Sequence, residues 1–216
     1  MRSLVLLALA LLAAAPAASG AAATLTPADA VARLRDGNQR FVAGRPTPRD
    51  WPAAVAATAG GQHPFAAVLG CMDSRVPTEA VFDQGLGDVF GVRVAGNVVN
   101  DDELGSLEYA AKVGVTVIVV LGHTRCGAVQ GAIDAVRLGH LTGLVAKIEP
   151  AVAAARCRDA RDDACVTRVA EQNVRQSMRE IRERSALLAK ALDAGTLRLI
   201  GAMYDVATGR VTFLDE

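Results

Sequence analysis

Aromatic side chains are scarce in this 216-residue chain, where five Phe, two Tyr and one Trp amount to 4%. A base-stacking platform for single-stranded nucleic acid is therefore excluded. Net charge is missing as well, because 23 basic residues cancel 23 acidic ones, and only 21% of residues are charged against 51% hydrophobic. An electrostatic nucleic-acid binder and a disordered tail are both disfavoured on that count, and the expected ligand is small or neutral. Twenty glycines beside so few aromatics suit an α/β protein with tight turns and Ala/Val packing better than an all-β sandwich. The length fits one domain with a sizeable core.

A long hydrophobic run occurs once, from Leu4 to Ala15, after Met1–Arg2–Ser3. It is short for a bilayer span but suits the core of a signal peptide. Small residues follow in Ala15–Pro16–Ala17, Ala18–Ser19–Gly20 and Ala21–Ala22–Ala23. Residues 1–23 are therefore expected to be a signal peptide cleaved between 17 and 23, with 24–216 as the mature single domain in a periplasm or outside the cell. No later segment reads as membrane-spanning.

Thr26–Pro27 is a helix start, and Val31, Leu34, Asn38 and Phe41 recur at helical spacing up to Gly44. This N-terminal arm is expected to pack on a second subunit. Pro46 and Pro48 interrupt it. Four apolar segments then read as buried parallel strands: Phe65–Gly70, Asp88–Val94, Val115–Gly122 and Leu197–Met203. Helical stretches at Pro77–Phe82, Asp101–Val113 and Cys126–Leu138 follow the first, second and third of them, and a longer helical region runs from His140 to Gly195, with Val166, Ala170, Val174, Met178, Ile181, Ser185, Leu188 and Leu192 on one stripe. A turn at Thr208–Gly209 leads into Arg210–Leu214. The expected fold is α/β, a mainly parallel sheet of four strands plus an antiparallel edge strand, with helices on both faces.

Two strand ends carry soft metal ligands. Cys71–Met72–Asp73–Ser74–Arg75 follows the first strand, and His123–Thr124–Arg125–Cys126–Gly127 follows the third. If these strands are neighbours, their carboxyl ends meet at the crevice where open α/β sheets bind ligands. Two thiolates and an imidazole are a catalytic zinc set that leaves a fourth position open. Asp73 and Arg75 are expected to pair, and an ionised Asp held by Arg can only accept a hydrogen bond, which suits it to orient a zinc-bound water or hydroxide. For the pair taken without the cysteines, the alternative is a loop salt bridge.

Cys71–Met–Asp–Ser–Arg–Val, the run Glu79–Asn97 and His123–Thr–Arg–Cys–Gly–Ala closely resemble the β-class carbonic anhydrases. The likeness extends from Thr26 to the C-terminus and includes Glu108–Tyr109, Gln172–Asn173–Val174 and Tyr204–Asp205. It implies zinc on Cys71, His123 and Cys126, with Asp73 as a ligand only in a closed site, and a catalytic Asp73/Arg75 dyad. It also implies that the Gln62 amide binds substrate from across a dimer interface while Phe90 and Tyr109 line the pocket. The implied reaction is reversible hydration of carbon dioxide to bicarbonate and a proton, in a homodimer or dimer-based tetramer that binds neither nucleic acid nor membrane. Carbon disulfide and carbonyl sulfide hydrolases share this fold and metal set. A zinc-stabilised dimeric binding module is the non-catalytic alternative. Family members whose zinc site is shut by bicarbonate carry Trp where this chain has Val68, so that form of regulation is expected to be absent. His63 and His140 read as solvated surface histidines, with proton carriage to buffer as the alternative.

Cys157 and Cys165 remain, and in an oxidising compartment an even remainder suggests a bridge. One unbroken helix would hold their Cα atoms ~12 Å apart, beyond the ~7 Å limit. The bridge therefore needs a turn at Arg158–Asp163; the alternative is two independent thiols in a continuous helix.

Overall fold

The computed structural model describes residues 25–214, so the expected signal peptide lies outside the described residues. Five strands, β1 (Ala66–Gly70), β2 (Val89–Arg93), β3 (Val117–His123), β4 (Arg198–Tyr204) and β5 (Val211–Leu214), form one sheet in the order β2-β1-β3-β4-β5. The first four run parallel and β5 is antiparallel to β4, as expected. The chain turns to opposite sides of β1 to place β2 and β3, which puts a topological switch point at the carboxyl ends of β1 and β3.

Both β1 and β3 are buried at every position. Ala67, Leu69, Ile118 and Val120 face one core, while Ala66, Val68, Val117, Val119 and Leu121 face the other. A strand covered on both faces has no polar side, so its residues read as an unbroken apolar run. The first core is closed by α4 (Asp101–Val113), α5 (Gly127–Ile133), α6 (Leu141–Ala146), α7 (Glu149–Ala155), α8 (Asp163–Arg184) and α9 (Ala186–Asp193). The second is closed by α1 (Pro27–Val42) and α3 (Thr78–Val81).

Caps explain the boundaries. Thr26 Oγ1 accepts from the Asp29 amide at the start of α1, and a reciprocal Asn100–Glu103 box opens α4, which ends at left-handed Gly114. The longest helix, α8, lies tight on the sheet because Gly122 on β3 and Gly201 on β4 leave room for Val174. A Cβ on either glycine would come within 2.7 Å or 2.8 Å of a Val174 methyl.

The arm helix α1 buries Ala30, Val31 and Leu34 against its own sheet. Three expectations are corrected. The helix expected over Cys126–Leu138 stops at Ile133, because Ala135 turns left-handed with φ 50°. The region from His140 to Gly195 is four helices, and its last break falls at Ser185, which leaves the helix at ψ 100° and caps α9 by accepting from Leu188 N. A further helix, α2 (Trp51–Thr58), was not expected; Asp50 caps it through Ala53 N, with Pro52 in its first turn. The turn between Cys157 and Cys165 does form: Arg156 is left-handed, Asp162 caps α8, and the two Cα atoms lie 5.4 Å apart.

Candidate metal centre

Cys71 is the first residue after β1, while His123 ends β3 and Cys126 follows at the start of α5. Because Gly70 is in register with Leu121, these three side chains converge beyond the same sheet edge. Their donor atoms all lie within 4.8 Å of one another, and the two sulfurs are 4.0 Å apart. All three residues are buried, His123 completely.

The ring of His123 is set by its own backbone neighbour. Nδ1 lies 2.9 Å from the Thr124 carbonyl oxygen, which can only accept, so Nδ1 carries the proton and Nε2 keeps its lone pair. That Nε2 is buried with no hydrogen-bond partner and faces two sulfurs. An orphaned buried nitrogen is costly unless something ligates it. Two thiols and an imidazole with the second imidazole nitrogen pinned to a carbonyl form a soft, oriented donor set, and they fit zinc.

The two sulfurs share a proton unequally. Cys71 is held well below its ordinary thiol value, first by the hydrogen bond with Cys126 and also by His123 and the Gly96 amide, although burial opposes this. Cys126 is pushed up by the same bond and by burial. Gly96 N–H donates to Cys71 Sγ at 3.3 Å, and the Ala128 and Val129 amides in the first turn of α5 favour the anionic form of Cys126.

Asp73 and Arg75 form the expected pair. Arg75 Nε and Nη2 donate to the two carboxylate oxygens at 2.9 Å and 2.7 Å, and the Arg75 amide adds a third bond at 2.9 Å. These bonds hold Asp73 well below the usual carboxylate range. Asp73 Oδ2 lies 3.9 Å from His123 Nε2, beside the ligand cluster, while its own oxygens sit in the Arg75 fork. Arg75 also donates to the Arg125 carbonyl at 3.3 Å and so joins the two ligand loops.

Sequence reasoning missed Arg93. From β2 it donates to the Cys71 carbonyl at 3.1 Å and the Asp73 carbonyl at 2.6 Å. A lone charge inside the otherwise apolar run VFGVRV was the available signal. The same Arg93 lines a cavity of about 760 Å³ between β2 and α4, together with Phe90 and Tyr109, whose ring centroids are 5.9 Å apart. Gln62 is elsewhere: it precedes β1, exposed beside Gly87, at the amino edge of the sheet, and the centre lies beyond the carboxyl edge. Val68 faces the α1 side of the sheet, while Cys71 belongs to the other core. His63 and His140 are exposed.

A family model described as "Carbonic anhydrase" matches residues 66–211. "Carbonic anhydrase 2" of Mycobacterium tuberculosis is 40% identical over 197 residues, covering 88% of this chain and 94% of the relative. The carbonic anhydrase of Mycolicibacterium smegmatis is 42% identical over 195 residues, 86% of this chain and 92% of the relative. Among solved structures, the β-carbonic anhydrase CafA of Aspergillus fumigatus superposes with a TM-score of 0.69 at 28% identity, covering 87% of this chain and 90% of that one. With the match running from the first residue of β1 to the first of β5, and with relatives covered along nearly their whole length, the chain belongs to the carbonic anhydrase family, in its β class.

Proposed function

We propose that this chain catalyses the reversible hydration of carbon dioxide, with one zinc ion held by Cys71, His123 and Cys126. The observation that carries the reading is the orphaned His123 Nε2 facing two buried thiols beside an Arg-gripped carboxylate. When bound, zinc supplies Lewis acidity that brings the pKa of a coordinated water towards ~7. Asp73, kept ionised by Arg75, accepts a hydrogen bond from the attacking oxygen and so aims its lone pair at carbon. Arg93 holds the Cys71–Asp73 backbone in place, and the Phe90/Tyr109 cavity offers an apolar wall to a gas without a dipole. Stopped-flow hydration of carbon dioxide by the purified zinc-loaded chain, with carbonyl sulfide as competitor, tests the assignment. Preferential turnover of carbonyl sulfide would move it to the sulfide hydrolases.

The active unit is a homodimer, or a tetramer built from dimers. Structures similar to this chain include "two tetrameric beta-carbonic anhydrases" from Sordaria macrospora, with a TM-score of 0.69 at 26% identity over 76% of this chain. In this chain α2 buries none of its residues and leaves Trp51 and Val55 50% and 58% exposed. Gln62, just after α2, lies at the sheet edge opposite its own centre, and on this reading it serves the centre of a second copy. Trp51→Glu with Val55→Glu should therefore give a monomer by light scattering and lose carbon dioxide turnover at least tenfold while zinc content stays at one per chain. A fully active monomer would remove Gln62 from the site.

We read the protein as a bacterial, exported enzyme. The signal-like residues 1–23 support this, and so does the closeness of Cys157 to Cys165. Among the described residues no helix is long and apolar enough to cross a membrane. A bridge closing so short a loop is worth about 2.5 kcal/mol in the chain-entropy estimate. Alkylation of unreduced, denatured and metal-chelated protein should label Cys71 and Cys126 alone. Labelling of all four cysteines would remove the bridge and weaken the case for export.

A further inference from the structure

We infer that Asn173 is a positioning residue for the metal centre, acting from α8 through the turn at Ala95–Asn97 whose amide donates to Cys71. The inference rests on the zinc reading above and concerns a residue that touches none of the three ligands.

The turn closes on one backbone bond of its own, from the Asn97 amide to the Val94 carbonyl at 3.1 Å, and is otherwise held from outside. Gly96 has φ 68° and ψ 21°, and a Cβ there would lie 2.6 Å from Ile148 Cδ1 and 3.1 Å from Ala128 Cβ. Asn97 follows in the same left-handed region at φ 43°. Two successive left-handed residues, one of them not glycine, persist only where their surroundings impose them. The imposing contacts come from α8. Asn173 Nδ2 donates to the Gly96 carbonyl at 2.7 Å, and Ser177 Oγ donates to the Asn97 carbonyl at 3.0 Å. On the other side of Gly96 its amide donates to Cys71 Sγ. Carbonyl and amide share one Cα, so releasing the first re-aims the second.

Asn173 and Ser177 lie one turn apart on the buried face of α8, at 1% and 2% exposure. A buried polar pair on a face otherwise filled by Val166, Ala170, Val174 and Ile181 weakens the core unless its hydrogen bonds are needed. Val174 fixes their aim: it is lodged over Gly122 and Gly201, so the helix cannot slide or rotate without a clash. The order of support runs from sheet to α8, from α8 to the turn, and from the turn to the sulfur.

The test measures zinc affinity by competition with a chromophoric chelator, and the thiolate-to-cobalt charge-transfer band after substitution with Co²⁺. Asn173→Leu keeps the volume and removes the donor; Asn173→Gln keeps an amide; thermal unfolding of the metal-free proteins monitors the fold separately. The expected result is one tightly held zinc per wild-type chain, with binding 10- to 100-fold weaker and a displaced cobalt band in Asn173→Leu, as for other outer-sphere metal partners. Asn173→Gln should recover part of both. Wild-type affinity and an unshifted band in a folded Asn173→Leu would overturn the inference, leaving Asn173 as the partner of a carbonyl and no more. If that variant does not fold, Ser177→Ala decides: weaker zinc binding supports the clasp and unchanged binding overturns it. A wild-type chain that takes up no zinc would instead overturn the metal reading itself.

Discussion

Cys71→Ala, His123→Ala and Cys126→Ala should each abolish stoichiometric zinc binding and carbon dioxide hydration, whereas Asp73→Asn should keep the metal and lose turnover by about 10²-fold. The contrast follows from where the donor atoms point. The two sulfurs and His123 Nε2 converge on one another, but both Asp73 oxygens lie in the Arg75 fork. Removing one of three protein ligands leaves too few for a stable site. The Asn side chain retains size and shape but not the charge that makes Asp73 an obligate acceptor. Elemental analysis alongside stopped-flow rates separates the cases. Equal metal loss in all four variants would make Asp73 a fourth ligand and close the site.

Asp83→Ala should destabilise the folded chain by about 3 kcal/mol at neutral pH, near the lower end for breaking a buried ion pair. The Asp83 side chain is 1% exposed and takes charged hydrogen bonds at 2.5 Å from both Arg40 on α1 and Arg49 in the following linker, with Thr47 adding its hydroxyl and amide. Arg40 and Arg49 keep 39% and 18% exposure, so each can turn to water when the carboxylate is gone, which keeps the cost low in that range. Burial pushes the Asp83 carboxyl up, but the hydrogen bonds from Arg40, Arg49 and Thr47 outweigh it and hold the group below the usual range. A depressed folded value makes the stabilisation complete above the unfolded carboxylate value of ~4 and lost as the pH falls towards the folded one. Urea unfolding should therefore show the gap between wild type and Asp83→Ala narrowing from pH 7 to pH 3. A gap that stays constant with pH would show that packing, and not the ion pairs, carries the effect.

The sheet was legible because β1 and β3 are covered on both faces, which writes them as unbroken apolar runs, and the ligands were legible because each motif starts where such a run stops. What escaped was whatever depends on a partner distant in the chain. Asp83 is the one charge in AVFDQG, and nothing local announces that Arg40 and Arg49 will enclose it. Asn173 and Ser177 look like gaps in the stripe of α8, since their carbonyl partners belong to a turn in another part of the sequence. Arg93 reaches the Cys71 and Asp73 carbonyls only because β2 lies beside β1. Helix ends were misjudged where a non-glycine residue turns left-handed, as at Ala135, because such a residue is dictated by packing and carries no compositional signal. Within the arm region, α1 has an apolar stripe that its own sheet satisfies, while α2 buries none of its residues.

The braces of the metal centre also set an order of assembly. A growing chain that has reached Cys126 already carries all three ligands. The residues that fix those ligands come much later: Asn173 and Ser177 hold the turn against Cys71, the Tyr204 carbonyl receives the Thr124 amide, and Thr124 Oγ1 receives the Val206 amide. On the zinc reading, tight capture of the metal would therefore follow the docking of α8, after an interval in which Cys71 and Cys126 are unmetallated thiols in the same nascent molecule as Cys157 and Cys165. Faithful maturation then depends on which happens first in that interval, native docking of α8 or a wrong sulfur pairing.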